Sequence, residues 1–531
     1  MGNYLNPDNS KFQRAVNSDI YVDKTGLIKY TNRVMNTMQA YVCVSRPRRF
    51  GKSMAADMLT AYYSKGCDSR EVFSGLEITE DETFDRYLNK YDTVFLNVQE
   101  FLSRSSDVKE LIARIKQRVI RELTRQYPDV ELFDSTDLAE TMQDIYAESK
   151  CPFVLIIDEW DCIFREFKND KEAQEKYLDF LRDLIKDKSY IHLAYMTGIL
   201  PIKKYGTHSA LNMFDEFSMA NPGVLAQYVG FTENEVRCLC SDYQMDLAEI
   251  KEWYDGYNFG EFEVYCPWDV MNYLRDLQMN PLAKPESYWK NTSDNGIIRS
   301  FIDYAGQNIT KKLETLLAGG FIFERIDENL TYDYLHSSEE NLWSVLYLTG
   351  YLTRVREREL PEPLSDGMFA LTIPNAEIKE IFETTVVKWF QDSAKIWNRK
   401  ALFDAVWSGN SSEVTKEMSR LLRKTISYHD YREDFYHAFL AGIFTGAGYT
   451  VESNKEHGEG RSDIVVYDLA EGRVAIFEAK YAKSVSEMEK DCDRALNQIE
   501  QQMYAKDYEE EYDEILCYGI SFFKKRCLVK K

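Results

Sequence analysis

The sequence predicts an α/β protein of several domains: a mainly parallel sheet flanked by helices over about the first 230 residues, and a smaller α/β domain at the end. Three observations predict it. Short β-rich runs alternate with amphipathic stretches over the first part, the pattern of strands joined by crossover helices. From about residue 430 a helix, three strands, a long helix and a last strand follow one another, and about 100 residues is a common domain size. The length of 531 residues is itself enough for several domains.

The strands of the first part are YVCVS (41–45), TVFLNV (93–98), FVLIID (153–158) and IHLAYMTG (191–198). Between them lie helical stretches such as SMAADMLTAYYS (53–64) and VKELIARIKQRVIRELTRQY (108–127). Together they define a first domain over 1–230. Residues 231–330 read as a helical lid region, opening on a Thr-x-x-Glu capping box at Thr232 and Glu235. Residues 331–425 hold an apolar helix, NLWSVLYLTGYLTRV (341–355), stopped at Gly350, and a strand, FALTIPN (369–375). A helix followed by a strand pair suggests a small winged-helix-like unit. Residues 426–531 form the last domain, with a helix DFYHAFLAGIF, strands YTVES, DIVVYD and VAIFEAK, a helix over 485–504, and ILCYGISFF.

Hydrophobic residues make up 44% and charged residues 29%, the balance of a folded, soluble protein. No apolar run approaches the roughly 20 residues that span a bilayer, and the start MGNYLNPDNS lacks the layout of a signal peptide. The ten cysteines include no Cys-x-x-Cys pair, so reduced thiols and a cytoplasmic location are expected, with no membrane partner. Net charge is −23, which excludes a surface basic all over; a nucleic-acid partner needs a local basic patch. Residues 1–60 carry nine Lys/Arg against four Asp/Glu, while DYEEEYDE (507–514) holds six acids and no base.

The segment SRPRRFGKSM (45–54) ends as a phosphate-binding loop ends, in Gly51-Lys52-Ser53, but has Arg46 where the first glycine is expected. A strand precedes it and a helix follows, so free backbone N–H groups and the positive helix end face an anion. The nucleotide-binding candidates are Arg46, Pro47, Arg48, Arg49, Phe50, Gly51, Lys52, Ser53 and Met54. Lys52 would reach the β- and γ-phosphates of ATP, Ser53 would offer a hydroxyl to Mg²⁺, and Gly51 lets phosphate approach the backbone. Arg46, Arg48 and Arg49 either clamp phosphate or pair with carboxylates. FVLIIDEWD (153–161) is an apolar strand ending in acids. Asp158 would hold Mg²⁺ through water, Glu159 would polarise the attacking water, and Thr197 would sense the γ-phosphate.

In GRSDIVVYDLAEGRVAIFEAK (460–480), Asp463 opens one strand, and Glu478 and Lys480 share one face of the next. Two carboxylates and an ammonium would then converge, a set suited to phosphodiester hydrolysis. Asp463 and Glu478 would hold Mg²⁺, or Mn²⁺, and Lys480 would position the water. Glu433 and His437 either face it or serve as solvated or capping groups, the latter favoured, and Glu452 and Glu456 are further acids with weaker claims to it. Arg461, Lys480, Lys483 and the terminal KKRCLVKK are candidates for the basic patch.

YVDKTGLI (21–28), RPRRFGKS (46–53), IDEWD (157–161), YMTGILPIK (195–203) and WYDGYNFG (253–260) resemble the bacterial AAA-ATPase-like family, as do NLWSVLYLTGYL and LTIPN. The resemblance implies a P-loop NTPase sheet related to archaeal-type ATPases, with a C-terminal PD-(D/E)XK restriction-endonuclease-like domain. An arginine at the first-glycine position is typical of that family. Asp463-x14-Glu478-x-Lys480 is similar to the nuclease pattern, and Gln498 resembles the family's glutamine near the active site. The expected function is an ATP-hydrolysing protein coupled to a Mg²⁺-dependent nuclease, with DNA favoured over RNA as its partner and self-association left open. The rival is a nucleotide-dependent switch or scaffold whose nuclease-like domain is an inactive binding module.

Overall fold

The structure, a computed structural model, describes all residues except 1, 168–169, 203–210, 290–306, 328–338, 366, 396–399, 426–432, 446–448, 458–459, 510 and 525. The chain packs into two compact units. One comprises Met1–Ser293 with Phe323–Glu377, the other Asp294–Ile322 with Ile378–Lys531.

The first unit is built on a five-stranded sheet of β1 (Tyr41–Ser45), β2 (Asp92–Asn97), β3 (Phe153–Asp158), β4 (Ile191–Gly198) and β5 (Asp215–Phe217). Its order is β2-β3-β4-β1-β5 and every pairing is parallel. All six residues of β3 are buried, as a strand covered on both faces must be, and this is why it reads as a continuous apolar run. The short β5, DEF, carries no such run and is not anticipated by pattern. The edge strand β2 is covered by the chain start: Leu5 pairs antiparallel with Val94. The Glu122 carboxylate accepts the backbone N–H groups of Asn3, Tyr4 and Leu5 at 2.8–3.1 Å. Covering an edge in this way removes a template for aggregation.

The helix Lys52–Tyr63 packs on β3 and β4. Beyond the sheet, Thr232 and Glu235 form the expected capping box at the start of the helix Glu233–Tyr243. A small antiparallel sheet joins β6 (Phe231–Thr232), β7 (Tyr257–Phe259) and β8 (Phe262–Tyr265). Three further strands, β9 (Ile322–Arg325), β10 (Thr353–Arg354) and β11 (Met368–Thr372), form a sheet in the order β10-β11-β9. The apolar helix runs over Glu339–Leu348, and Gly350 behind it has φ +88, a left-handed stop that favours glycine.

The second unit carries a sheet of β12 (Thr450–His457), β13 (Gly460–Asp468), β14 (Arg473–Tyr481), β15 (Glu514–Phe523) and β16 (Arg526–Lys530), in that order. Only β14 and β15 pair in parallel, joined by the helix Met488–Gln501. Spacing alone puts Met488, Cys492, Ala495, Ile499 and Met503 on one core-facing stripe; the first four are buried against the sheet, whereas Met503 lies past the helix end with φ +53 and is exposed.

Two buried carboxyls in the first unit set a pH dependence. Glu377, at the start of the helix Ala376–Lys395, faces Asp269 of the helix Pro267–Met279. Its Oε1 accepts the Trp289 backbone N–H at 2.8 Å. Burial, then the charge of Asp269, pushes Glu377 up to about 10, and burial pushes Asp269 up to about 6. Both folded values lie above the ordinary ones. The pair's contribution is therefore complete below the ordinary carboxyl range and is lost as pH rises toward the folded values. Glu377→Gln keeps the acceptor and cannot ionise. Thermal melts from about pH 5 to about pH 9 are expected to show a flatter decline of stability for this variant than for the wild type.

Candidate functional site

The phosphate-loop candidate sits at the carboxyl end of β1, beside the ends of β4 and β3. In parallel sheets this edge gathers loops and helix starts into a ligand crevice. Gly51 has φ +90 and no atom within 4 Å of where a Cβ would lie. It needs glycine for its backbone conformation, not for space. The Lys52 ammonium is buried and lies on the loop itself, donating to the carbonyls of Arg46 at 3.0 Å and Pro47 at 2.7 Å. Burial pushes its pKa down, while Glu159, Asp161 and Asp158 pull it back up. Ser53 and Met54 are exposed at the helix start.

Arg46 takes a different part from its two neighbours. Its guanidinium is fully buried, donates to the carbonyls of Ser45 at 2.9 Å and Phe217 at 2.6 Å, and stacks on Phe259 with 4.6 Å to the ring centroid. Burial lowers its pKa to about 10. It ties the start of the loop to β5 and β7, and among the described residues it has no carboxylate partner. Phe50 is buried edge-on against Tyr257, with ring centroids 4.9 Å apart. The Tyr257 hydroxyl donates to the Gly350 carbonyl at 2.9 Å. A Cβ on Gly350 would come within 2.8 Å of the Pro47 ring. Arg49, with φ +73, lies over the Trp268 ring at 4.0 Å. Arg48 is half-buried and acts electrostatically on Glu159. The loop is therefore backed by the segments WYDGYNFG and LTGYL.

The acids lie opposite. Asp158 is fully buried and accepts from the Thr197 hydroxyl and from Asn97 Nδ2 at 3.2 Å, with no ion pair among the described residues. A buried carboxylate whose hydrogen-bond donors are all neutral suits a metal ion or its bound water, so Asp158 and Ser53 fit a divalent ion accompanying a phosphate. Glu159 turns out of β3 with φ +56 and pairs with Arg165. Its burial would raise its pKa, but Arg165, Lys52 and Arg48 outweigh that and hold it below its ordinary value. Asp161 accepts the backbone N–H groups of Ile199 at 3.0 Å and Leu200 at 3.2 Å, pinning the turn after β4.

The pattern of the sequence missed Asn97, Asp161 and Arg165. Asp161 is visible as the last acid of IDEWD. Asn97 and Arg165 stand in no motif, because only the neighbouring of β2 with β3 and the turn at Glu159 bring them in.

In the second unit, Asp463, Glu478 and Lys480 do converge. Asp463 Oδ2 accepts the Ala479 backbone N–H at 2.7 Å, and Lys480 donates to Glu478 Oε1 at 2.9 Å. Glu478 is buried, and its Oε2 has no partner among the described residues. Burial, then the charge of Asp463, raises its pKa against the opposing pull of Lys480. An orphaned buried carboxylate oxygen beside a second carboxylate fits a divalent cation. Among the described residues no cluster of three His, Cys, Asp or Glu side chains accompanies it.

The supporting candidates fare differently. Gln498 donates to the Tyr504 hydroxyl at 3.4 Å, beside the cluster of Tyr467 and Tyr508, rather than to Asp463 or Glu478. Glu452 accepts from the Tyr467 hydroxyl. Lys530 pairs with Asp493 at 2.8 Å and Glu489 at 3.1 Å, so it adds no free charge to a basic patch. Lys483 is exposed. The side chains of Glu433, His437, Glu456 and Arg461 lie outside the described residues.

The contact of Gly350 with Pro47 makes a direct test of how the loop is backed. Gly350→Ala, which is strained at positive φ and crowds Pro47, is expected to cost about 2 kcal/mol in thermal unfolding. It should also weaken binding of a fluorescent ATP analogue.

Comparisons with known proteins match two parts of the chain to families. Residues 10–207 match the AAA-ATPase-like family, described as a predicted AAA-ATPase, and residues 431–531 match the PD-(D/E)XK nuclease superfamily. A protein of Azotobacter chroococcum encoded in the vnfD 5′ region, itself uncharacterized, is 22% identical over 519 residues, covering 94% of this chain and 92% of its own. The solved Aeropyrum pernix ORC2 protein, in ADPNP–ADP complexes, covers 72% of this chain and 98% of its own at 10% identity, with a TM-score of 0.33. That likeness is too loose to carry an argument. The two family matches give the chain an AAA-ATPase-like domain at residues 10–207 and a PD-(D/E)XK nuclease-superfamily domain at residues 431–531, and so support a nucleotide-binding protein with a nuclease-like domain.

Proposed function

We propose that the chain binds and hydrolyses ATP with Mg²⁺, and that its last domain is a Mg²⁺-dependent nuclease acting on DNA. The observation that carries the ATP reading is the buried Lys52 ammonium at the junction of loop and helix, held by the carbonyls of Arg46 and Pro47 at the carboxyl end of β1 and lying in the field of Glu159, Asp161 and Asp158. Lys52 and the helix start would hold the triphosphate, and Ser53 and Asp158 the ion, which supplies charge neutralisation when bound. Glu159 would orient and polarise water, and Thr197, through Asp158, would report the γ-phosphate. The nuclease reading rests on Asp463, Glu478 and Lys480 meeting on one sheet face, the carboxylates holding the ion and Lys480 positioning water. We further propose the division 1–230, 231–330, 331–425 and 426–531, with the second segment as a lid.

Titration with a fluorescent ATP analogue tests the first part: Lys52→Ala is expected to lose at least about tenfold in affinity, and unchanged binding would move the site elsewhere. A panel of plasmid, linear and single-stranded DNA and of RNA, with Mg²⁺ or Mn²⁺ and ATP, tests the second. Cleavage is expected to vanish in Asp463→Ala and Lys480→Ala, and a wild type that cuts none of them would sink the nuclease. Because Glu478 holds its proton more tightly than an ordinary glutamate, metal must compete with that proton. Calorimetric Mn²⁺ binding is expected to weaken on acidification starting above the ordinary glutamate range.

The pairing of Glu159 with Arg165 favours a second reading, a nucleotide switch with slow turnover and the nuclease-like domain as a binding module. Tight ATP binding without measurable hydrolysis would favour it.

A further inference from the structure

We propose that the helix Val108–Gln126 of the first unit is a docking surface for duplex DNA, whose phosphate backbone is held by Arg118, Arg121 and Arg125. The chain carries a net charge of −23, yet this helix holds six Lys/Arg against two Asp/Glu. Both of its acids are already engaged. Glu110 accepts the Ser106 backbone N–H at 2.7 Å and pairs with Arg114. Glu122 accepts the backbone N–H groups of Asn3, Tyr4 and Leu5 at the chain start. Lys116 is spent on Asp137 at 2.8 Å. Arg118, Arg121 and Arg125 stay exposed, with no ion pair among the described residues.

The helical period puts the three on one side. They fall within about 60° of one another around the axis and span about 10 Å along it. Leu111, Ile115, Val119 and Leu123 are buried on the other side and hold the helix to the domain, so the arginines point away from the core. The occupant follows from what this stripe has and what it lacks. Guanidinium binds phosphate oxygens in pairs. A duplex carries one negative charge per about 1.7 Å of its axis, so a stripe about 10 Å long meets several phosphates. Single strands are held by stacking their bases on aromatic side chains, and this helix contains no aromatic residue. A helix lying on a membrane sinks its apolar face into lipid, and here that face is already covered by protein. On a chain so acidic, a local cluster of unpaired guanidiniums is the kind of patch that phosphate contact requires. This contact is separate from the nuclease reading, since it needs neither metal nor cleavage.

The test is fluorescence anisotropy of the full chain with a labelled DNA duplex, in EDTA and without nucleotide, over a series of salt concentrations. It compares wild type, a triple variant carrying Arg118→Ala, Arg121→Ala and Arg125→Ala, and Lys109→Ala, which removes an exposed charge from another side of the same helix. Alanine is the best helix former, so the triple variant is expected to melt with the wild type. At about 100 mM salt it should bind the duplex at least about tenfold more weakly, and its slope of log affinity against log salt should be shallower by about 2–3. Lys109→Ala should change that slope by less than about 1. A triple variant with the wild-type affinity and slope overturns the proposal. So does a wild type that does not bind the duplex, that prefers a single strand of the same length, or that binds only vesicles of anionic lipid. A wild type that binds the duplex through this stripe in EDTA, yet cuts nothing when Mg²⁺ is added, upholds the proposal and sinks the nuclease reading alone.

Discussion

A buried guanidinium with no carboxylate partner among the described residues sets the terms for the first unit. Burying a charge is costly unless it is well partnered. Arg46 offsets that cost with two backbone carbonyls and the face of Phe259. One of those carbonyls is on β5 and the ring is on β7. The start of the phosphate loop is therefore satisfied only when an edge strand 171 residues on and a still more distant hairpin are both in place. Phe50 against Tyr257, and Gly350 against Pro47, extend the same backing. Pro47 fixes its own φ. The loop is stiffened from behind, and Lys52 closes it from within through the carbonyls of Arg46 and Pro47.

That backing separates three arginines that look alike in the chain. Arg46 holds the loop, Arg49 stacks on Trp268, and Arg48 remains in the field of Glu159. The acids across from them are divided as sharply. Asp158 has neutral donors on both oxygens, Asp161 holds two backbone N–H groups, and Glu159 is matched to Arg165. The same residue types thus do distinct work, and what assigns the work is the partner, not the motif.

The second unit obtains its carboxylate pair more simply. Side chains alternate along a strand, and the antiparallel register of β13 with β14 pairs Ile464 with Phe477. Asp463 and Glu478 therefore stand across from each other, and Lys480 follows on the same face. Nothing distant is needed to bring the three together, which is why this set was legible from the hairpin alone. Gln498 was not, because the rotation of the helix on the sheet decides which of its flanking residues looks into the site. That rotation turns Gln498 toward Tyr504.

The sequence by itself determined the four long strands of the first sheet, the helix after the loop, the capping box at Thr232, and the hairpin with its acids. Each is a local pattern: apolar runs, helical spacing, or a few residues at fixed offsets. It also marked the candidate segments, since Gly51-Lys52-Ser53 and Asp158-Glu159 are contiguous. Tertiary structure alone decided the strand order β2-β3-β4-β1-β5, which sets Asn97 and Thr197 on either side of Asp158. It alone buried Arg46 against β5 and β7, and gave Glu159 its partner through a left-handed turn. The physical reason is that strand order, burial and partner choice depend on contacts between residues distant in sequence, and no local period records them.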